Sequence, residues 1–116
     1  MANVTIWHNP RCSKSRNSLA LLEEKGIEAE VVKYLDTPPT KEALRTLLSQ
    51  LGISAKELMR TKEDTYKVLG LKDVDDEEKL ISAMAENPKL IERPIVIKDG
   101  KAVIGRPIEN VIELLD

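Results

Sequence analysis

The chain has one cysteine and one histidine, Cys12 and His8, and both lie in the segment 8–16 (HNPRCSKSR). A free thiol with a pKa of about 8.5 is only a few per cent thiolate at neutral pH, and cationic neighbours or a helix N-terminus raise that fraction. The segment is polar and basic, which favours an exposed loop over a core position. We therefore interpret Cys12 as a nucleophile and His8 as a group that stabilises its thiolate or relays protons. The alternatives are an inert core cysteine and a histidine bonded to a backbone group.

The spacing around Cys12 excludes three kinds of site. Ser15 stands where a C-x-x-C motif would have its second cysteine, so dithiol chemistry within the chain is excluded. Ser18 stands where a phosphatase-like C-x5-R loop would have its arginine, and Arg16 comes two positions too early. Cys12 and His8 together are too few ligands for a structural zinc site. Cys12 must therefore exchange with an external thiol.

Three arginines elsewhere in the chain are candidates for binding an oxyanion: Arg60, Arg93 and Arg106. All three lie at the ends of predicted elements, and the last two each precede a proline. Guanidinium groups bind tetrahedral oxyanions through paired hydrogen bonds, and three of them would offset most of the charge of arsenate or phosphate. The alternative is that these arginines are solvated or cap backbone carbonyls.

The hydrophobic pattern predicts the elements that must position these residues. β-Branched and alternating runs predict strands over 3–8, 30–35, 95–97 and 102–104. Apolar residues at helical spacing, with capping residues and terminators, predict helices over 13–25, 43–51, 54–60, 63–69, 75–87 and 107–115. The first β-α-β unit favours a right-handed crossover with parallel strands, and Asp99-Gly100 favours a tight hairpin.

This order of elements, β-α-β, then helices, then β-β-α, defines the expected fold class. It is that of an α/β domain with a thioredoxin-like fold and a helical insert between its halves. We predict one domain over residues 1–116, with the insert over about 40–88. Pro107 suits the first turn of the last helix.

Composition narrows the class of protein further. With 116 residues, of which 41% are hydrophobic and 33% charged, the chain suits a globular domain whose core needs no disulfide or metal. The formal net charge of −2 argues against a general nucleic-acid binder. We see no signal-like segment and no apolar run that could span a bilayer. We expect a cytoplasmic monomer with neither membrane nor nucleic acid as a partner.

Several separated motifs resemble those of one family, the glutaredoxin-coupled arsenate reductases of the ArsC type. The resemblance runs essentially from end to end. The matching residues are Ile6-x-His8-Asn9-Pro10-x-Cys12-x-x-Ser15-Arg16-Asn17, Tyr34-Leu35 with Pro38-Pro39, Arg60, Leu90-Ile91-x-Arg93-Pro94-Ile95-Val96 and Gly105-Arg106-Pro107. Within the loop, residues 11–15 resemble the short chromosomal branch of the family more than the plasmid resistance enzymes.

The resemblance implies a thioredoxin-like fold and a specific reaction. Cys12 would attack arsenate to give a covalent thiol-arsenate adduct. Glutathione, as a co-substrate, would then join the arsenic, and glutaredoxin would resolve the product and release arsenite. The resemblance implies no bound cofactor and no metal.

The resemblance also implies roles for individual residues. It places four of them at the substrate: Arg60, Arg93, Arg106 and Ser15. His8 matches a residue that is thought to favour the thiolate of Cys12. Pro94 matches the cis-proline that lies opposite the active-site cysteine in thioredoxin-like folds.

Two other functions are compatible with the same scaffold. One is a glutathione-dependent thiol reductase or transferase with a different substrate, against which the three arginines argue. The other is a non-enzymatic redox regulator that binds RNA polymerase. Regulators that resemble this family typically carry a C-x-x-C switch, and Ser15 stands in the place of its second cysteine.

Overall fold

The computed structural model describes residues 4–115. Within them, four strands are formed: β1 Val4–Trp7, β2 Glu30–Val32, β3 Ile95–Lys98 and β4 Lys101–Ile104. The α-helices of the same residues are α1 Ser13–Glu24, α2 Lys41–Leu51, α3 Ala55–Leu58, α4 Asp64–Val68, α5 Glu77–Glu86 and α6 Glu109–Leu115. The predicted order of elements is confirmed. Asn3, at the start of the first predicted strand, lies outside the described residues.

The chain divides into two compact units. The sheet unit combines Met1–Thr37 with Arg93–Asp116, and the insert unit is Pro38–Glu92. The organisation of residues 1–116 as one domain with an insert stays a prediction. No helix within residues 4–115 is both long enough and apolar enough to cross a membrane.

The sheet unit is built on a four-stranded sheet in the order β2-β1-β3-β4. β1 runs parallel to β2, with Ile6 opposite Val31, and antiparallel to β3. The parallel pairing through α1 is therefore as predicted. The hairpin between β3 and β4 is also confirmed, because Asp99 and Gly100 have φ values of 50° and 82°, as the two central positions of a type I′ turn require.

One face of this sheet carries the core of the sheet unit. The buried cluster consists of Val4, Ile6, Leu22, Val96 and Val111. Three of these residues come from strands at alternate positions, and the other two come from α1 and α6. Burying each such side chain stabilises the fold by about 1.5–3 kcal/mol. The packing therefore fixes both helices on the sheet.

Several element boundaries differ from the predictions, and in the sheet unit the largest differences are at β2 and α6. β2 ends at Val32, because the N–H groups of Asp36 and Thr37 both donate to the Lys33 carbonyl at 3.0 Å and turn the chain there. α6 begins at Glu109, so the prediction that Pro107 opens this helix is wrong. The Pro107 carbonyl accepts the Asn110 N–H at 3.0 Å in a turn that precedes the helix.

The insert unit is a set of capped helices. Ser54 and Glu57 form the predicted capping box at α3, and Asp76 caps α5 by accepting from two N–H groups. α3 ends at Leu58, earlier than predicted. The reason is that the chain becomes extended and pairs with the segment before β3, where the Arg60 N–H donates to the Leu90 carbonyl at 2.7 Å.

Gly105, at the end of β4, is packed too tightly for any side chain. A Cβ atom at this position would lie 2.8 Å from Pro94 Cγ, 2.8 Å from Ser18 Oγ and 3.2 Å from Val111 Cγ2. Its N–H donates to the Pro94 carbonyl at 2.8 Å. The glycine therefore allows β4, α1 and the start of β3 to approach each other closely.

We expect Gly105→Ala to lower the free energy of unfolding by about 1–3 kcal/mol, because the new methyl group overpacks the core. Urea unfolding followed by circular dichroism measures this change. Ser18→Ala is the compensating substitution, because it removes Ser18 Oγ, which is buried and makes no hydrogen bond within residues 4–115. The double variant should recover part of the loss. Wild-type stability of Gly105→Ala would contradict the tight packing.

Candidate active site

Cys12 occupies the N-cap position of α1, at the end of a tight turn. Its N–H donates to the Asn9 carbonyl at 3.0 Å, and its own carbonyl accepts the Arg16 N–H at 3.0 Å as the helix begins. Asn9 shapes the turn further, because its side-chain oxygen accepts the Arg11 N–H at 3.0 Å. The thiol is therefore presented at the helix N-terminus, as the sequence predicted.

The surroundings of Cys12 are more enclosed than the sequence suggested. Its side chain is only 9% exposed, although its neighbours Arg11 and Ser13 are exposed. The expectation that the cysteine lies in an open loop is therefore wrong for the thiol itself. Cys12 is buried between exposed neighbours on both sides.

Arg106 connects the thiol to the other half of the sheet unit. One of its terminal nitrogens lies 3.4 Å from Cys12 Sγ, and its Nε donates to the Arg93 carbonyl at 2.7 Å. The guanidinium is thus held by the backbone beside β3 while it contacts the sulfur. Two of the three predicted arginines, Arg93 and Arg106, therefore converge on Cys12, from positions 81 and 94 residues further along the chain.

These contacts act on the ionisation of the thiol. Burial alone would raise the pKa of Cys12. The backbone N–H groups of Ser15 and Lys14 and the guanidiniums of Arg93 and Arg106 act in the opposite direction, and the resulting pKa lies below the usual value of 9.0. The helix N-terminus and two arginines therefore raise the thiolate fraction of Cys12 above that of an unperturbed thiol.

His8 does not supply an imidazolium to this thiolate. It is buried, and its Nδ1 lies 2.6 Å from Ser15 Oγ. Burial, followed by the charges of Lys33 and Arg16, lowers the pKa of His8 below 6.5, so its ring is neutral at pH 7. Its part in the reaction stays a prediction.

Ser15 is buried in the first turn of α1, and its predicted role at the substrate stays a prediction. It is fully buried, and its hydroxyl accepts the Asn9 N–H at 2.9 Å while it bonds to His8. This hydroxyl therefore joins the end of β1 to the first turn of α1. The part of Ser15 that acts on Cys12 is its backbone N–H, and the side chain keeps the turn in place.

Pro94 has the cis peptide bond that the resemblance implies, and the bond before Pro107 is also cis, which was not predicted. The bond before Pro94 lies at the start of β3, next to Arg93. The carbonyl of Pro94 is paired with Gly105, which precedes Arg106. The two arginines of the site are thus connected through neighbouring backbone segments.

Arg60 belongs to the insert unit, and within it the side chain has an acidic partner. Its Nη1 lies 3.1 Å from Glu63 Oε2, and both side chains are partly buried. Its predicted role at the oxyanion stays a prediction. In such a role, the guanidinium would exchange Glu63 for the substrate or bind both.

We expect the rate of Cys12 alkylation by iodoacetamide to rise with pH, with a midpoint below 9.0. The thiolate alone reacts, and its fraction increases as the pH passes the lowered pKa. His8→Gln should leave this midpoint unchanged, because a neutral ring contributes no charge. A midpoint that rises in His8→Gln would show that the histidine carries the charge after all. The measurement is the alkylation rate by mass spectrometry between pH 5 and pH 10.

Comparison with known proteins assigns the chain to a family. The model of the ArsC family matches residues 7–114. The chain belongs to the ArsC family. The arsenate reductase of Neisseria meningitidis is 54% identical over 117 residues, which cover 99% of this chain and 100% of that protein.

Other members of the ArsC family are similar over nearly the whole chain. The arsenate reductase of Escherichia coli is 41% identical over 116 residues, covering 99% of this chain and 82% of that protein. The solved structure of an arsenate reductase from Vibrio cholerae superimposes with a TM-score of 0.94 at 53% identity, with 97% of each chain covered. The sheet with its flanking helices is the thioredoxin-like fold of the ArsC family.

The sequence did not indicate every residue that shapes this ArsC site. Asn9 and Gly105 have structural roles that local patterns only hint at, through an Asx-turn residue before Pro10 and a glycine before Arg106. We did not predict that the hydroxyls of Ser15 and Ser18 lie on the buried face of α1. The signal available for both was their spacing from Leu22, which places them on the same helical face.

Proposed function

We propose that this protein is an arsenate reductase in which Cys12 is the nucleophile. The observation that carries the proposal is the contact between the Arg106 guanidinium and Cys12 Sγ, beside Arg93 and the N-terminus of α1. This arrangement combines an activated thiol with donors for an oxyanion. The names and similarity of the relatives point to arsenate as that oxyanion.

The first step joins the substrate to the enzyme. The Cys12 thiolate forms an S–As bond, and one arsenate oxygen leaves as water after protonation. Arg93 and Arg106 face the negative charge that accumulates on the remaining oxygens, and preorganised donors of this kind commonly contribute about 10²–10³-fold in rate. Arg60 is the third predicted donor.

The electrons must come from outside the chain, because Cys12 is its only cysteine. Glutathione forms a second S–As bond, and a second oxygen leaves as water. A glutaredoxin thiolate then attacks the glutathione sulfur, and the pair of the breaking S–As bond stays on arsenic, which becomes As(III). Water hydrolyses the remaining S–As bond, which releases arsenite and restores Cys12. Two thiols become one disulfide, so two electrons are supplied.

This chemistry fits a reducing compartment, which supports the cytoplasm as the place of action. It needs no bound cofactor and no metal. In this scheme His8 acts as a neutral ring that orders the loop with Ser15, and Pro94 fixes the backbone next to Arg93. The chain would act as a monomer with arsenate, glutathione and glutaredoxin as its partners.

A coupled assay tests the proposal. The purified protein is given arsenate, glutathione, glutaredoxin, glutathione reductase and NADPH, and the oxidation of NADPH is followed. We expect arsenate-dependent oxidation. Oxidation that needs glutathione but not arsenate would favour a thiol reductase of another substrate. No oxidation under any of these conditions would favour a regulator without catalytic activity.

A further inference from the structure

A cleft lies beside the nucleophile loop, within the sheet unit. Its volume is about 240 Å³. The cleft is lined by residues of two turns, His8, Asn9, Pro10 and Arg11 in one and Lys33, Leu35 and Asp36 in the other. We call it the Lys33 cleft. The turns follow β1 and β2, which are parallel neighbours, so they lie at the same edge of the sheet.

The Lys33 cleft is lined by the turn that precedes the nucleophile, and Cys12 itself is not among its lining residues. Arg11 precedes Cys12 in the chain, and the carbonyl of Asn9 accepts the Cys12 N–H at 3.0 Å. His8 ties the same turn to the first turn of α1 through Ser15. A molecule bound in the Lys33 cleft would therefore lie against the loop that presents the thiol. The arginines that contact or act on Cys12 from the far end of the chain are not part of its lining.

The charges of the Lys33 cleft form a distinct pattern. Arg11 and Lys33 are exposed cations, and Asp36 is an exposed carboxylate. Lys33 is close enough to His8 for its charge to lower the pKa of that ring. Glutathione carries two carboxylates and one ammonium group at neutral pH. Two cations and one anion are the complement of that set, and charged hydrogen bonds of this kind are among the stronger ones in proteins.

The proposed reaction requires a second thiol next to Cys12. The chain has no cysteine besides Cys12, so the thiol that joins the arsenic must arrive from solution and stop next to the adduct. With arsenate at Arg93 and Arg106, as proposed above, the loop that precedes Cys12 is the side from which this thiol would approach. The Lys33 cleft lies on that loop, and the charged side chains among its lining residues suit a small charged peptide.

We propose that the Lys33 cleft binds glutathione, with Arg11 and Lys33 at its carboxylates and Asp36 at its ammonium group. The bound tripeptide directs its thiol toward the arsenic on Cys12, where a new S–As bond forms and an oxygen leaves as water. This inference rests on the proposed arsenate reduction. It adds the recognition of free glutathione by residues that have no part in binding arsenate.

The kinetic test compares Lys33→Ala with Lys101→Ala, an exposed lysine of β4 outside the cleft. We expect Lys33→Ala to raise the KM for glutathione about tenfold or more, because one charged hydrogen bond is lost. The KM for arsenate and the kcat at saturating glutathione should match those of Lys101→Ala. Glutathione diethyl ester should react equally with wild type and Lys33→Ala. An unchanged KM for glutathione, or a change only in the KM for glutaredoxin, would overturn the proposal.

A binding test separates this inference from the proposed function. S-Methylglutathione keeps the charges of glutathione but cannot react. Its titration, followed by amide NMR, should shift the signals of the Lys33 cleft in wild type, and the affinity should fall in Lys33→Gln and Asp36→Asn. Shifts elsewhere or no binding would overturn the cleft assignment even if the coupled assay succeeds. A failed coupled assay with intact S-methylglutathione binding would instead overturn arsenate reduction.

Discussion

Cys12→Ser is expected to abolish arsenate-dependent turnover, with a loss on the order of 10³-fold or more. A serine hydroxyl does not ionise at neutral pH, so neither the helix N-terminus nor the arginines can make it a comparable nucleophile. The coupled assay measures the loss. The fold should persist, because serine is close to cysteine in size and is a favourable residue at the N-cap position that Cys12 occupies. Retained turnover would mean that Cys12 is not the nucleophile.

The control for this variant uses the wild-type chain itself. Because Cys12 is the only cysteine, iodoacetamide should modify one site per chain and remove activity in proportion. Arsenate, bound between the thiol and the arginines, should slow the modification. Thermal unfolding of Cys12→Ser should match wild type. If Cys12→Ser loses both its activity and its folded state, the alkylation experiment decides the role of the thiol. Full activity after full modification would then contradict Cys12 as the nucleophile.

Arg106→Ala is expected to lower kcat/KM for arsenate by about 10²–10³-fold. Two effects combine in this variant. The guanidinium that contacts Cys12 Sγ at 3.4 Å is lost, so the pKa of Cys12 should rise and the alkylation midpoint should move to higher pH. The same change removes a donor to the oxyanion. Steady-state kinetics and the alkylation profile measure the two effects separately.

Arg106→Lys separates the effect of the positive charge from the effect of the planar guanidinium geometry. A lysine keeps a positive charge near the sulfur, but it cannot donate to the Arg93 carbonyl and to the sulfur from one planar group. We expect the pKa of Cys12 to return most of the way to its wild-type value, while kcat/KM stays low. Arg45→Ala is the control, because this arginine pairs with Glu78 on an exposed surface. Wild-type kinetics for Arg106→Ala would contradict its place in the site.

The parts of the fold that the sequence predicted are those encoded by local chemistry. Asp99-Gly100 fixes the β3–β4 hairpin because both residues adopt positive φ, and Ser54 with Glu57 encodes the start of α3. The position of Cys12 at the start of α1 follows from Pro10 and from the apolar spacing after it. In each case, the residues that determine the structure lie within a few positions of each other.

The parts that escaped prediction depend on contacts between distant segments. The contact of Arg106 with Cys12 spans 94 residues, and nothing near either residue specifies that distance. The neutral state of His8 depends on burial and on Lys33, which approaches only when β2 pairs with β1. The resemblance to a family indicated three arginines as candidates, and their roles at a substrate stay predictions. The contacts that hold Arg93 and Arg106 come from the folded backbone.

The most direct measurement is a crystal structure of the protein with arsenate, with data collected at the arsenic absorption edge. We predict an anomalous peak at bonding distance from Cys12 Sγ, with the guanidiniums of Arg93 and Arg106 on the arsenate oxygens. Cys12→Ser crystals should retain the anion without the bond to sulfur. An arsenic peak away from Cys12, or none at a concentration that saturates the coupled assay, would contradict the thiol-arsenate mechanism.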